Sequence, residues 1–125
     1  LKITNPTDPE QSLRGGTRYL SQMWQAHETI PDSIQRIKFT LASYNAGLYH
    51  IKDAQHLAAH LDLDPLKWDK NVEDALLKLN KPEYYKKDFI KYGYVRAKEP
   101  YKYVKEIFKR YEQYKTFIDK TPPGK

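Results

Sequence analysis

Apolar residues recur along the first third of the chain at the three- and four-residue spacing of helices that bury one face. The first run begins after Asp8-Pro9, which predicts an N-cap followed by proline at the first helical position. It continues as far as Pro31, and its apolar positions are Leu13, Leu20, Met23 and Trp24. Gly15-Gly16 interrupts this run, which predicts close approach by another helix or by a ligand.

A second helix is predicted to follow an N-cap at Asp32. It should end at Asn45-Ala46-Gly47, because glycine readily adopts the left-handed conformation that terminates helices. Its spacing predicts a buried stripe of Ile34, Ile37 and Leu41, with Tyr44 as a further candidate.

The rest of the chain continues in helical periods. A third helix is predicted through Ile51, Ala54, Leu57, Ala58 and Leu61, and a fourth through Val72, Ala75, Leu76 and Leu79. A turn from Asp64-Pro65 carries Trp68 between them, and residues 80–95 are mixed and should wrap the surface. The longest helix opens at Glu99-Pro100, with Val104, Ile107, Phe108, Tyr111, Tyr114 and Ile118 on one face. We therefore predict an all-α domain over residues 1–120, with about five helices, no significant sheet and a disordered tail at 121–125.

Composition narrows the class of protein. The chain has 125 residues, no cysteine and no apolar run near the roughly 20 residues that a membrane span requires. Disulfides and thiolate metal sites are thereby excluded. The first residue is Leu1 rather than Met, so we expect the chain to be processed or cut from a longer protein. No cofactor is expected.

Positive charge and tyrosine are concentrated in the C-terminal part of the chain. Residues 78–125 carry 14 Lys or Arg against 6 Asp or Glu, and eight of the 11 tyrosines. A solvated helix face explains this pattern more simply, but a basic, tyrosine-rich face also suits an anionic or sugar-containing polymer. A nucleic-acid-binding module is therefore one alternative, although no helix-turn-helix or other recognised signature supports it.

Asp53, His56 and His60 form the one pattern that suggests a metal, because they lie three and four residues apart on one helix face. Two histidines four residues apart can bind zinc, but no accompanying glutamate signature or further ligand is apparent. Exposed helix histidines are the simpler explanation, and no metal site is expected.

The most informative motif is Leu41-Ala42-Ser43-Tyr44-Asn45-Ala46-Gly47. Taken alone, it is an ordinary glycine-terminated helix end, or one that directs a hydroxyl and an amide into a cleft. It resembles the Ala-Tyr-Asn-Ala-Gly motif of soluble-type lytic transglycosylases, which are relatives of goose-type lysozyme. Three further segments are similar to that family and occur in the same order. The first is Asn5 to Ser12, followed by Gly15-Gly16 and Tyr19-Leu20. The other two resemble the membrane-bound transglycosylase F branch of the family, and they are Tyr84-Tyr85 through Tyr92-Gly93-Tyr94 and then Arg96, Glu99-Pro100 and Tyr103-Val104.

The resemblance implies a lysozyme-like helical fold and a lyase activity on peptidoglycan. The family cleaves the β-1,4 bond between N-acetylmuramic acid and N-acetylglucosamine, and the muramyl 6-hydroxyl forms a 1,6-anhydro product. One glutamate serves as acid and then as base, unlike the paired carboxylates of most glycosidases. In the family it belongs to a Glu-Ser pair that precedes the Asn-Pro segment, and no glutamate of this chain matches that pair. We therefore expect the chain to be the C-terminal portion of the domain, without its catalytic residue and inactive alone.

The same resemblance assigns residues and partners. Ser43, Tyr44, Asn45 and Tyr103 would bind substrate, and Glu99 would support them by orienting Tyr44 or pairing with Arg96. Peptidoglycan glycan strands would be the partner rather than nucleic acid, and the location would be the bacterial cell envelope, either periplasm or outer membrane. Self-association through apolar surface is also expected. A non-catalytic glycan-binding or scaffolding domain is the remaining alternative.

Overall fold

A computed structural model describes the backbone of residues 9–120 and the side chains of residues 18–110. Over that range the fold is all-α, as predicted, and contains no strand. The helices are α1 (Pro9–Ala26), α2 (Ser33–Ala46), α3 (Leu48–His60), α4 (Glu73–Lys78), α5 (Pro82–Tyr85) and α6 (Lys98–Lys120), and a π-type turn, Trp68–Val72, leads into α4. The prediction of about five helices omitted only the single-turn α5, which lies in the segment predicted to be mixed.

Several predictions concern parts of the chain outside these described residues. They are the cap at Asp8, the tail at 121–125, the contacts of Leu13 and Gly15-Gly16, and the side chains of Tyr111, Tyr114 and Ile118.

The boundaries of α2 are those that its capping residues predict. The Asp32 carboxylate accepts a hydrogen bond from the Gln35 backbone N–H at 3.0 Å, which satisfies one of the free donors of the first turn. At the other end, Gly47 has φ +101° and its N–H donates to the Ser43 carbonyl at 2.8 Å. Because L-residues rarely adopt such a positive φ, glycine allows the chain to turn directly into α3.

The predicted buried stripe of α2 is wrong. Ile34 is 41% exposed, while Ile37 and Leu41 are only half-buried and line an apolar groove against Leu20 and Trp24 of α1, with a volume of about 350 Å³. The face that is buried instead carries Phe39, Thr40, Ala42 and Ser43. Both sets fit a helical period, and small residues such as alanine and serine give a weak hydropathy signal although they allow neighbouring helices to approach closely.

The core surrounds α2, which contacts α1, α3, α6 and the Trp68–Val72 turn. The Phe39 ring contacts two other rings of the core. Its centroid is 5.4 Å from that of His27 and 5.6 Å from that of Trp68, which it meets edge to face. The predicted positions of α3 and α4 complete this core and are buried: Ile51, Ala54, Leu57, Ala58, Val72, Ala75, Leu76 and Leu79. Leu61 is half-buried at the C-cap of α3.

Residues 86–97, which we call the surface segment, lie over the surface without regular secondary structure. One carboxylate of α3 binds their backbone. Asp53, which is 1% exposed, accepts hydrogen bonds from the backbone N–H groups of Lys91 at 3.1 Å and Tyr92 at 2.7 Å. Ile90 and Val95 are buried on either side of this contact. The segment is therefore held in a defined position between α3 and the start of α6.

Candidate functional site

The last turn of α2 carries Tyr44 and Asn45 next to its glycine-terminated end. Asn45 is exposed and Tyr44 is half-buried. The helix ends at Ala46, and Gly47 turns the chain directly into α3.

Ser43 lies on the opposite side of the same helix turn and is completely buried. Its hydroxyl is 2.7 Å from Nε2 of His27, which follows the end of α1. Burial, together with the positive charges of Lys52 and Arg36, lowers the pKa of His27 to about 4. The imidazole is therefore neutral near pH 7, and the His27–Ser43 pair joins α1 to α2 from inside the core. This position gives Ser43 a structural role, because its side chain has no open surface to offer a ligand.

One polar cavity brings together three of the predicted residues. Asn45 at the end of α2, Arg96 in the surface segment and Glu99 in the first turn of α6 line a space of about 330 Å³. His50 of α3 and Tyr94 of the surface segment also line it, and neither was predicted. The cavity thus offers an amide, a guanidinium, a carboxylate, an imidazole and a phenol within one small volume.

The Nδ1 atom of His50 is buried and has no hydrogen-bond partner among the described residues. Nδ1 of His27 and Nε1 of Trp68 share this property inside the core, so the His50 atom does not by itself indicate a ligand. His50 lies on the first turn of α3, three residues after Gly47, and no motif in the sequence indicates its place in the cavity.

Tyr44 and Tyr103 lie near each other, and neither is among the residues that line this cavity. Burial raises the pKa of Tyr103, and the nearby Tyr44 contributes in the same direction. The Tyr44 ring also lies 5.5 Å from the ring of Tyr19 on α1. Among the described side chains, Glu99 forms neither the predicted ion pair with Arg96 nor a hydrogen bond to Tyr44. Both charged groups are exposed, and water solvates them at little cost.

The histidines considered for zinc do not converge with Asp53. The Asp53 carboxylate is occupied by two backbone N–H groups, and His60 contacts the Phe89 ring at 5.0 Å. Among the residues that the structure describes, no three His, Cys, Asp or Glu side chains are grouped to hold a metal ion. Within the same residues, no helix is long and apolar enough to cross a membrane.

The sequence is similar to those of lytic transglycosylases. The profile of the transglycosylase SLT domain matches residues 1–66, which include the Ser43–Asn45 motif but not Arg96, Glu99 or Tyr103. The chain is 46% identical over 111 residues, 88% of its length, to the membrane-bound lytic murein transglycosylase F of Shewanella halifaxensis. It is 43% identical over 113 residues, 90% of its length, to the protein of the same name from Shewanella loihica. The chain spans 22% and 23% of the lengths of these two relatives.

Proposed function

The chain belongs to the transglycosylase SLT family, and from this we propose that it forms part of the glycan-binding cleft of a peptidoglycan lytic transglycosylase. The substrate would be the glycan strand, cleaved at the β-1,4 bond between N-acetylmuramic acid and N-acetylglucosamine with formation of a 1,6-anhydro product. The protein would act in the bacterial cell envelope, in the periplasm or at the outer membrane.

The observation that carries this proposal is the polar cavity. Asn45, Arg96 and Glu99 come from three separate elements, and the family resemblance had assigned all three. Sugar hydroxyls and N-acetyl groups both donate and accept hydrogen bonds, and an amide, a guanidinium and a carboxylate provide the complementary partners. Tyr44 and Tyr103 would contact the strand beside the cavity, and the buried His27–Ser43 pair would hold the end of α2 in place.

We further propose that the chain alone binds glycan but does not cleave it. None of its glutamates is followed by serine, as the family's catalytic glutamate is. Glu99 is the carboxylate that lines the cavity, but it is exposed, whereas a catalytic acid needs an apolar environment that keeps it protonated near neutral pH.

The binding test is sedimentation of the chain with purified peptidoglycan sacculi. Asn45→Ala should weaken binding about fivefold, the effect of losing one hydrogen-bonding group. Asn80→Ala, which removes an exposed amide after α4, is the matched control and should bind like the unaltered chain. Equal binding by both variants, or no sedimentation of the unaltered chain, would contradict the proposed cleft.

The activity test is mass spectrometry of the soluble products released from the same sacculi. We expect no 1,6-anhydro product above a buffer control. If the product appears and Glu99→Gln abolishes it, Glu99 is the catalytic acid and the proposed inactivity is wrong.

Nucleic acid is the competing polymer, on account of the basic C-terminal region. Binding that depends on phosphates weakens steeply with salt, through release of counterions. Sedimentation with sacculi should persist at physiological salt, whereas tight, salt-sensitive DNA binding without sedimentation would favour the competing function.

A further inference from the structure

A group of exposed tyrosines lies next to the polar cavity. Tyr49, Tyr92 and Tyr94 are 59%, 48% and 54% exposed, which makes them the three most exposed large hydrophobic side chains that the structure describes. We call these three residues the tyrosine platform. Isolated apolar side chains on a surface need no explanation, but several that adjoin one another often mark a binding site.

The rings of the platform belong to two aromatic pairs. Tyr49 and Tyr92 stack with their centroids 4.9 Å apart and their planes 21° apart. Tyr94 is held at its edge by Tyr85, with the two rings 5.9 Å apart and nearly perpendicular. These geometries are favourable for aromatic pairs, so each pair stabilises the position of its own rings.

The backbone beneath the platform is fixed. Tyr92 donates its backbone N–H to the buried Asp53 carboxylate, and the buried side chain of Val95 anchors the segment beyond Tyr94. Gly93 has φ +74°, a conformation that L-residues rarely adopt, and it turns the chain between the two tyrosines. A ligand that binds here has little backbone entropy to remove, which favours affinity.

The platform continues into the cavity. Tyr94 belongs to both, and the His50 ring, which lines the cavity, contacts the Tyr92 ring at 6.5 Å in an edge-to-face arrangement. A single extended ligand can therefore touch the polar groups of the cavity and the aromatic rings outside it.

We propose that the tyrosine platform is an outer sugar-binding surface on which a pyranose ring of the glycan strand stacks as the strand leaves the cavity. A pyranose has an apolar face of C–H bonds and a polar rim of hydroxyls, and tyrosine matches it with an aromatic face and a phenolic hydroxyl. This inference rests on the proposed glycan-binding function. It adds that the platform contributes affinity for a strand longer than the cavity accommodates.

The test uses tetra-N-acetylchitotetraose, an uncharged oligomer of N-acetylglucosamine, and isothermal titration calorimetry. Tyr49→Ala and Tyr92→Ala should each weaken its binding about fivefold, a typical contribution of one aromatic contact. Tyr49→Phe should retain most of the affinity, because the ring rather than the hydroxyl makes the contact. Leu66→Ala, which removes an exposed apolar side chain elsewhere, is the control and should change nothing.

The outcomes separate this inference from the proposed function. If the chain sediments with sacculi and Asn45→Ala weakens that binding, but the platform variants bind the tetramer like the unaltered chain, the platform inference is overturned and the cleft stands. If the chain binds neither sacculi nor the tetramer, both fail. Loss of single-stranded DNA binding in the platform variants, with sugar binding unchanged, would show that the rings stack on bases instead. Unchanged circular dichroism and melting temperature in each variant exclude unfolding as the cause of a loss.

Discussion

Acidification should destabilise the fold through His27, and the size of the effect follows from its burial. The imidazole is 1% exposed, and the charges that act on it are the positive groups of Lys52 and Arg36. Its pKa is therefore lowered from 6.5 to about 4. The native state therefore binds fewer protons than the unfolded chain between those two values. The stabilisation is complete above pH 6.5 and is lost as the pH falls towards 4.

The magnitude follows from the two pKa values. Lowering the pH from 7 to 5 should reduce the free energy of unfolding by about 1.8 kcal/mol through this one residue, and the limit below pH 4 is about 3.4 kcal/mol. Net stabilities of small domains are only about 5–15 kcal/mol, so the loss is a measurable fraction of the whole.

The assay is urea unfolding at pH 7 and pH 5, followed by the fluorescence of the two tryptophans. His27→Gln removes the titrating group and retains a side chain able to hydrogen-bond to Ser43. The unaltered chain should lose about 1.8 kcal/mol more than this variant between the two pH values. His56→Gln, at an exposed position of α3, controls for the general effect of removing a histidine and should keep the full pH dependence. Parallel pH dependence in the unaltered chain and His27→Gln would refute the argument.

Three further predictions concern stability and assembly. Asp53→Ala should reduce the free energy of unfolding by about 2–3 kcal/mol in urea titrations, because it leaves two backbone N–H groups without their acceptor. Asp88→Ala, at an exposed position, is the control and should have almost no effect. Gly47→Ala should lower the free energy of unfolding by about 1–2 kcal/mol in thermal melts, because the strain arises from φ +101° and not from lack of space; an unchanged melting temperature would show that the turn relaxes. The apolar groove between α1 and α2 should promote self-association, so the mass measured by light scattering should rise with concentration. Ile37→Glu should remove this dependence on concentration. A monomer at all concentrations of the unaltered chain would contradict this role of the groove.

Local signals predicted the helices well, and long-range packing explains what they missed. Asp32 and Gly47 determine where α2 begins and ends through hydrogen bonds within a few residues, so the sequence alone reveals both. The buried face of the same helix depends on which neighbours pack against it. Phe39 and Ser43 face His27 and Trp68, which are distant in sequence, and hydropathy spacing carries no information about those contacts.

The sequence predicted those residues of the candidate site that lie in motifs of a known family. Asn45, Arg96 and Glu99 lie in segments that resemble a known family, and the structure brings them to one cavity. His50 and Tyr94 complete it only because α3 turns back at Gly47 and the surface segment is tied to α3. Neither of those three-dimensional relations leaves a periodic signal in the sequence.

The hydrogen bonds to Asp53 also have a consequence for proteolysis. Residues 86–97 contain four sites for trypsin, at Lys86, Lys87, Lys91 and Arg96, in a stretch without regular secondary structure that would ordinarily be cut quickly. A protease must lift several residues off the surface to bind them, and here that requires breaking both bonds to Asp53 and exposing Ile90 and Val95. The folded chain should therefore resist trypsin across this segment, and the Asp53 carboxylate on α3 contributes to that resistance.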